Sequence, residues 1–199
     1  MSLIFFIKSA TVDISKYTIK DIPGSSGRFD VISRCILSAI IRNNKLENGV
    51  QIWVFLDNYG AFIFNSNRFN DENFPKNELL LTDFFVKIIK KMKEREPYPE
   101  TPLDSVEYSN LGVIDAVKNF VKKKYKIYVL NENGTDYTKI FGEISSMDNL
   151  LFIIGDQSGD LLDNLELKEL NLANLSFGNR SYLASSIIRL IKINLQLLV

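Results

Sequence analysis

The amino-acid sequence predicts an α/β fold built on a mostly parallel sheet with helices on both faces. Short apolar runs of strand-forming residues alternate with amphipathic helical segments along the whole chain, a pattern typical of strand–helix–strand units. The composition is that of an ordinary globular protein, since 46% of the 199 residues are hydrophobic and 24% are charged. This length suits one domain, or one domain with a long insertion, and is sufficient for a sizeable core.

The first half of the chain alternates strands and helices in a clear order. Leu3–Ile7 is a continuous apolar run of strand-forming residues, which predicts a buried strand. Pro23, Gly24 and Gly27 then predict a loop, and apolar residues at helical spacing up to Ile40 predict a helix after it. The remaining predicted elements of this half are strands at 51–56 and 61–64, a hairpin turn between them at 57–60, an amphipathic helix around 84–92 and a shorter helix at about 111–124.

The second half contains three strong predicted strands and a final helix. The strands are expected at 125–130, 150–154 and about 170–175, and a polar, glycine-containing loop follows each of them. The final helix is expected at about 181–197 and has apolar residues on two of its sides. Such a helix needs more burial than one sheet supplies, so it is expected either to be central in the fold or to contact a second subunit.

Missing residue types exclude several classes of active site. The chain has no histidine, which excludes Ser-His-Asp and Cys-His catalysis and every histidine-ligated metal site. Its one cysteine, Cys35, excludes an internal disulfide and a cysteine-based zinc site. Cys35 lies on an apolar helix face, so we expect a core residue in a reducing, intracellular setting. We therefore expect no metal and a cytoplasmic location.

The charge balance limits the partners of the protein. Lys and Arg total 24, as do Asp and Glu, so contact with nucleic acid has to use a local basic patch rather than bulk charge. The lysines within 87–93 and 118–126 are candidates for phosphate contacts, although solvated helix faces commonly have the same pattern. A membrane span at 182–199 is not expected, because Arg189 and Lys192 interrupt that apolar stretch.

Three loops that follow strands of the second half form one candidate binding site. They lie at 131–134, 155–159 and 176–178, and each contains glycine. Ligands of open α/β sheets bind at the carboxyl ends of strands, where glycine lets the backbone approach a flat ligand closely. Ordinary turns are the alternative interpretation. None of the loops has a GxGxxG or Walker pattern, so a Rossmann dinucleotide site and a P-loop have no support.

The second candidate site is the loop at 23–30 with the first turn of the helix after it. Arg28, Asp30 and Arg34 gather at this helix N-terminus, where backbone N–H groups favour anions. Arg28 is suited to hold a phosphate or a developing anion, and Asp30 is suited to accept a proton. The alternative is a capped loop with a structural Arg–Asp ion pair.

The same segments resemble a known family. Residues 21–35, Asp-Ile-Pro-Gly-Ser-Ser-Gly-Arg-Phe-Asp-Val-Ile-Ser-Arg-Cys, are similar to the N-terminal signature of the archaeal tRNA pseudouridine N1-methyltransferases, the TrmY family of the SPOUT superfamily. Further segments similar to the family follow in the same order at 128–134, 152–159, 175–178 and 183–188. The resemblance covers most of the chain, and residues 57–110 contribute little to it.

This resemblance implies a fold, a reaction and a set of site residues. It implies a single SPOUT methyltransferase domain over 1–199 with a deep trefoil knot in about 125–199, and a homodimer joined through helices of the knot region. It also implies S-adenosylmethionine as cofactor and N1 of the pseudouridine in the TΨC loop of tRNA as the methylated position. The positions that line the cofactor site in the family correspond here to Leu130, Asn131, Gly155, Asp156, Leu175, Ser176 and Leu183.

The substrate side falls on the first signature. Arg28, Asp30 and Arg34 occupy the loop that faces the RNA in the family. We expect Arg28 and Asp30 to be catalytic, with Arg28 holding the anion of the base or a phosphate and Asp30 acting as the base or as an orienting group. Arg28 and Arg34 are expected to bind the RNA.

Some positions depart from the family pattern. Gln157 stands where the family usually has histidine, and Tyr182 and Ser186 stand where it often has histidine and cysteine. Phe177-Gly178 replaces the usual Gly-Pro. Two alternatives therefore stay open: a related knotted methyltransferase that acts on another RNA such as rRNA, and a knotted dimer that binds RNA without catalysis.

Overall fold

A seven-stranded sheet is the central element of the molecule. The computed structural model describes residues 2–94, 100–145, 147–155, 160–178 and 182–196. In chain order the strands are β1 Ser2–Ser9, β2 Ile41–Arg42, β3 Lys45–Leu46, β4 Val50–Leu56, β5 Gly60–Asn65, β6 Glu107–Ser109, β7 Lys126–Asp136, β8 Asn149–Ile154 and β9 Ala173–Ser176. The short strands β2 and β3 pair only with each other, and the other seven form the main sheet.

The helices connect these strands and differ widely in length. In chain order they are α1 Ile22–Ser25, α2 Phe29–Ile40, α3 Glu78–Glu94, α4 Val113–Lys122, α5 Tyr137–Ser145, α6 Asp160–Asp163, α7 Leu165–Glu169 and α8 Ala184–Gln196. The helix expected at 84–92 is thus longer than its apolar stripe, and it begins six residues earlier, at Glu78.

The sheet has the mostly parallel arrangement that the sequence predicted. Its strands follow the order β6-β5-β4-β1-β8-β7-β9. The strands β4, β1, β8, β7 and β9 are mutually parallel, whereas β5 is antiparallel to both of its neighbours. In the central strand, Phe5 lies in register between Ile52 and Phe152. Because the parallel strands end at one edge, the loops after β7, β8 and β9 meet there.

Helices cover both faces of the sheet, as predicted. Leu3, Phe5 and Ile7 of β1 belong to the core formed with α2, α3 and α8. Ile4 and Phe6 alternate with them and belong to the core formed with α4, α6 and α7. Phe5 and Phe6 are completely buried, and each such burial stabilises the fold by about 1.5–3 kcal/mol.

The structure corrects several predicted boundaries in the second half. The strand expected at 170–175 begins at Ala173, because Leu170 ends α7 and Asn171 adopts the left-handed conformation with φ 48°. The last helix begins at Ala184 rather than at 181. The helices α5, α6 and α7 and the strands β2, β3 and β6 were not predicted, and the short helix α1 lies where a loop was expected.

The helix α8 buries one of its two apolar sides and exposes Ile193 on the other. Ile188 and Ile191 pack into the core, whereas 53% of Ile193 is exposed. Leu190, also on that side, packs against the core, so both expectations for α8 stay predictions.

A buried lysine fixes α8 against α2. Lys192, of which 5% is exposed, donates to the carbonyl oxygens of Ser38 (3.1 Å), Ala39 (2.6 Å) and Ile41 (3.1 Å) at the C-terminal end of α2. Its Nζ also lies 2.8 Å from Oε2 of Glu47. These carbonyls have no partner inside their helix, and a cation is favourable at a helix C-terminus. The contact holds together two helices that both reach the edge of the sheet where the candidate site lies.

Candidate functional site

A cleft of about 640 Å³ opens at the edge of the sheet where β7, β8 and β9 end. This volume is in the usual range for sites that bind small molecules. The strand ends contribute Leu130, Ile154 and Leu175 to its lining, so this wall of the cleft is apolar. The opposite side is formed by α2 and by the start of α8.

Strand β7 is interrupted at the rim of the cleft. Leu130 and Thr135 both pair with Leu175, so residues 131–134 leave the ladder as an excursion of four residues. Oδ1 of Asn131 accepts a hydrogen bond from the N–H of Asn133 (2.9 Å), which is the pattern of an Asx turn. Asn131, Glu132 and Asn133 of the excursion line the cleft.

Glycine is required where this excursion returns to the sheet. A Cβ at Gly134 would lie 2.6 Å from the backbone nitrogen of Leu175 and 2.7 Å from the carbonyl carbon of Asn174. Both are backbone atoms of β9, which a side-chain movement cannot displace. The shape of the excursion therefore depends on a close backbone contact.

The buried Ser176 connects the excursion to the loop after β9. Its hydroxyl donates to the carbonyl oxygen of Glu132 at 3.0 Å, with the carbonyl of Gly178 at 3.3 Å as a second acceptor. It also accepts a hydrogen bond from the N–H of Gly178 at 3.1 Å. Ser176 is thus a positioning residue, because it fixes two of the loops that form the cleft without lining it.

The second predicted site forms a compact ion-paired cluster at the start of α2. The guanidinium of Arg28 donates two hydrogen bonds to the carboxylate of Asp30, at 3.0 and 3.1 Å. Arg34, one turn further on, donates to the same carboxylate at 2.6 Å and lies 3.4 Å from Glu78. Asp30 is buried, with 5% of its side chain exposed, whereas half of the Arg28 side chain is exposed.

The backbone of residues 21–29 sets the position of this cluster. Asp21 accepts a hydrogen bond from the N–H of Gly24 (3.1 Å), and Ser26 accepts one from the N–H of Phe29 (3.2 Å). Gly27 and Arg28 are both left-handed, with φ of 59° and 68°. This conformation costs an arginine roughly 1–2 kcal/mol, and such strain concentrates at functional sites.

The two arginines determine the protonation of Asp30. Burial of the carboxylate opposes its ionisation, but the hydrogen bonds and charges of Arg28 and then Arg34 outweigh burial, so the pKa of Asp30 lies below its ordinary value. The hydrogen bonds to Asp30 in turn raise the pKa of Arg28. Asp30 is therefore an ionised acceptor with both oxygens occupied, and Arg28 is a permanent cation with an exposed edge.

The cluster and the cleft adjoin each other. Arg28 lines a small cavity of about 40 Å³ that also contacts Val31, Gly155 and Ala184. The same three residues line the large cleft. The exposed arginine is thus next to the cleft, across the first turn of α2.

Comparison with known proteins identifies the family. Residues 1–197 match the model of a family described as "Putative SAM-dependent RNA methyltransferase". A tRNA (pseudouridine(54)-N(1))-methyltransferase of Thermococcus kodakarensis is 30% identical over 95% of this chain and 96% of its own length. The chain belongs to this family. The corresponding enzyme of Pyrococcus abyssi is 27% identical over 96% of both chains.

A solved structure shares the fold of this family member. The crystal structure of Archaeoglobus fulgidus Nep1 bound to S-adenosylhomocysteine aligns over 98% of both chains with a TM-score of 0.62 and 17% identity. The parallel α/β architecture of this RNA methyltransferase family member is therefore one that a solved protein also has.

The structure brings most of the predicted cofactor residues of this methyltransferase together. Leu130, Asn131, Gly155, Leu175 and Leu183 all line the cleft. Ser176 lies behind the rim, as described above, and Asp156 lies outside the described residues. On the substrate side, Arg28, Asp30 and Arg34 form one cluster as predicted, and the neighbouring cavity joins that cluster to the cleft.

Several residues of the cleft were not predicted. They include Val31 of α2, Ile187 of α8 and Tyr182, whereas Phe177, which also lines the cleft, lies in the loop predicted at 176–178. Phe177 is held by stacking on Tyr137, with ring centroids 4.5 Å apart. The position of Val31 directly after Asp30 could have indicated a site residue. Its apolar side chain, however, also fitted the face of α2 that was expected to pack into the core.

Two expected absences concern metals and membranes. Within the described ranges, no group of three or more His, Cys, Asp or Glu side chains is arranged to hold a metal ion. No helix in the same ranges combines the length and the apolar character that crossing a membrane requires.

Cys35 is buried in the core, and burial raises its pKa to about 12, which makes it unsuited to nucleophilic catalysis.

Proposed function

We propose that this protein transfers the methyl group of S-adenosylmethionine to N1 of the pseudouridine in the TΨC loop of tRNA. The observation that supports this most is the joining of two sites: a small-molecule cleft at the strand ends and, directly beside it, a permanently charged arginine on a strained turn. The relatives named above catalyse this methylation at position 54 of tRNA.

The cleft has the properties that the cofactor requires. Its apolar wall, formed by Leu130, Leu175 and Ile187, suits the flat face of adenine. The excursion at 131–134 and Gly155 offer backbone N–H and C=O groups for polar contacts. S-adenosylmethionine, when bound, supplies a methyl group on a sulfonium, which reacts by in-line displacement. Recognition mainly by backbone groups explains why the histidine-free sequence is compatible with this cofactor.

Arg28 is assigned the role of stabilising the base as negative charge develops on it. Its exposed edge lies next to the cleft, and Asp30 fixes its plane through two hydrogen bonds. A preorganised cation of this kind stabilises a charged transition state without reorganising. Arg34 is turned toward Asp30 and Glu78, so its contact with RNA is expected to be electrostatic rather than a base contact.

Asp30 acts as the orienting group in this proposal rather than as the base. Its pKa lies below the ordinary value, and both of its oxygens already accept hydrogen bonds from arginines. A general base works best when its pKa is close to the working pH. The N1 proton therefore leaves to water, and positioning next to Arg28 supplies the catalysis.

We further propose the knot, the homodimer and a cytoplasmic location, within one domain over residues 1–199. Support for the knot comes from the family match and from the course of the last three strands, since the chain runs from β7 to β8 and then past β7 to the edge strand β9. The exposed Ile193 of α8, together with the exposed Tyr182 and Leu183, supports a second subunit on that face. Changing Ile193 to Glu is expected to convert a dimer into a monomer in analytical ultracentrifugation.

Tritiated-methyl transfer tests the proposed reaction directly. The purified protein is incubated with labelled S-adenosylmethionine and a T stem-loop RNA containing pseudouridine, and a stem-loop with uridine at that position is the control. Label in the pseudouridine RNA alone supports the proposal. Cofactor binding without transfer to either RNA would move the search to other RNAs, and the absence of cofactor binding would refute the proposed site.

A further inference from the structure

A second exposed basic surface lies at the opposite end of β7 from the cleft. Four lysines occupy five successive positions where α4 ends and β7 begins, and all four side chains are exposed: Lys122, Lys123, Lys124 and Lys126. We name them the lysine corner. None of the four forms an ion pair with the described residues, whereas Lys118, one turn earlier, is paired with Glu166 at 2.8 Å.

The backbone of this corner is strained at a lysine. The helix α4 ends in a Schellman motif, in which the N–H of Lys124 bonds to the carbonyl of Val121 (2.9 Å) and the N–H of Tyr125 to that of Phe120 (3.1 Å). In this motif Lys124 occupies the left-handed position, with φ 62°, where glycine is strongly favoured. The chain thus has a charged side chain at a position where glycine would adopt the backbone conformation with less strain.

The lysine corner is close enough to the proposed site for one tRNA molecule to contact both. Lys126 and Leu130 are on the same strand, and four residues of β-strand span about 13 Å. A substrate bound at the cleft by one loop nucleotide extends well beyond that distance, and the phosphates of an RNA duplex are read mainly by cations and shape. A protein with no net charge needs such a local patch to hold RNA.

We propose that the lysine corner binds backbone phosphates of the tRNA substrate outside its T loop. This inference rests on the proposed function, because it takes tRNA as the substrate of the cleft. The lysine corner increases the affinity for tRNA but takes no part in methyl transfer, since it lies at the amino end of β7, away from the reacting atoms. The strain at Lys124 is the conformational cost of keeping a cation in this position.

The test compares two variants that lose the same charge. Lys122→Gln/Lys126→Gln changes the corner, and Lys16→Gln/Lys45→Gln removes two exposed lysines from other surfaces as the matched control. Binding of full-length tRNA transcript is measured by fluorescence anisotropy across a series of salt concentrations, and single-turnover methylation is measured on saturating T stem-loop. The corner variant should bind the transcript roughly tenfold more weakly at 0.1 M salt, and its log–log salt slope should fall by about two. The control should match the parent, and both variants should methylate the stem-loop at the parental rate.

A single variant separates the role of the charge from the role of the fold. Lys124→Gly should raise the midpoint of thermal unfolding by about 2–4 °C, because it relieves the left-handed lysine. The same variant should lower the salt slope by about one. A more stable protein that binds tRNA less well is the outcome that a merely structural lysine does not produce.

The results that overturn the proposal are distinct from those that overturn the reaction. Unchanged tRNA affinity and salt slope in the corner variant, or equal losses in the control, would refute the lysine corner while stem-loop methylation by the parent still upheld the reaction. A parent protein that neither binds tRNA nor methylates the stem-loop would refute both.

Discussion

The two halves of the site are built in different ways. The cluster at the start of α2 depends on side chains: three charged residues within seven positions, which hold one another at 2.6–3.1 Å. The cleft depends mainly on chain path: an excursion in β7 and a glycine in close contact with β9, with one serine hydroxyl that connects two loops. The difference teaches that the proposed reacting side is sensitive to residue identity, whereas the proposed cofactor side is sensitive to chain path.

The same division applies to the positions at which the chain departs from the pattern expected from its resemblance to the family. Tyr182 and Phe177 line the cleft at positions where the family pattern has other residues. They replace side chains at a rim that is positioned by backbone contacts, so the cleft keeps its form. In the Arg28–Asp30–Arg34 cluster, by contrast, a different residue would remove a hydrogen bond directly.

The largest expected effect comes from removing the side chain of Arg28. Arg28→Ala should lower the single-turnover rate of methyl transfer roughly 10²–10³-fold, because it deletes the preorganised cation beside the cleft. Arg28→Lys is the matched control: it keeps the charge but not the two parallel hydrogen bonds to Asp30, and an intermediate rate is expected. A parental rate in the alanine variant would contradict the role of Arg28.

Asp30→Asn tests whether this carboxylate orients Arg28 or accepts a proton. An orienting role predicts a rate roughly 10–100-fold lower, since misplacement of a catalytic group has costs of this size, together with an unchanged pH–rate profile above pH 6. A profile that loses an ionisation in the variant would instead assign Asp30 as the base.

The same substitution has a signature in stability. Because the pKa of Asp30 is lowered in the folded state, its contribution to the free energy of unfolding is present above the ordinary aspartate pKa of about 4 and is lost as the pH falls through the lowered pKa. Asp30→Asn should therefore destabilise the protein by about 1–2 kcal/mol at pH 7, since Arg28 and Arg34 keep partial access to water. Urea unfolding at pH 7 and pH 3 measures both values, and the difference between parent and variant should shrink at pH 3.

Gly134→Ala tests the backbone half of the site. The new Cβ would lie 2.6 Å from the nitrogen of Leu175, so the excursion and β9 must separate. The dissociation constant for S-adenosylmethionine should rise about tenfold as a result, because the rim moves. Gly142→Ala is the matched control, because a Cβ there meets nothing within 4 Å. Equal weakening in both variants would show that helix and loop stability, not the close contact, controls affinity.

Ser176→Ala should have the smallest effect. It removes one hydroxyl that bonds to Glu132 and Gly178, and a hydrogen bond of this kind contributes about 0.5–1.5 kcal/mol. We expect the affinity for the cofactor to fall roughly 3–5-fold with little change in the rate at saturating cofactor. Calorimetric titration checks the first value, and a changed rate at saturation would contradict a positioning role.

The two halves of the site also differ in how far the sequence predicts them. The β1 strand, the α2 helix and the Arg28–Asp30–Arg34 cluster follow from local pattern, because apolar periodicity and capping residues act over a few positions. The excursion in β7 does not. Residues 131–134 have the composition of an ordinary turn, and only the pairing of both Leu130 and Thr135 with Leu175 shows that the strand continues beyond it. Such pairing is a long-range property.

The late start of β9 has a similar cause. Leu170 and Leu172 are apolar and fit a strand pattern, but the first ends α7 and the second packs into the core on the α4 side of the sheet. The Lys192 contact with the end of α2 was also beyond prediction, because a lysine in an apolar helix gives no sign of which carbonyls it will reach 150 residues away.

Calorimetric titration of Arg28→Ala with S-adenosylmethionine tests the separation of the two halves most directly. We predict a dissociation constant within about twofold of the parent value, in a protein whose methyl transfer is strongly impaired, because the cleft is held mainly by backbone contacts that this arginine does not make. A loss of cofactor binding as large as the loss of transfer would contradict it, and would show that the cluster and the cleft are one site.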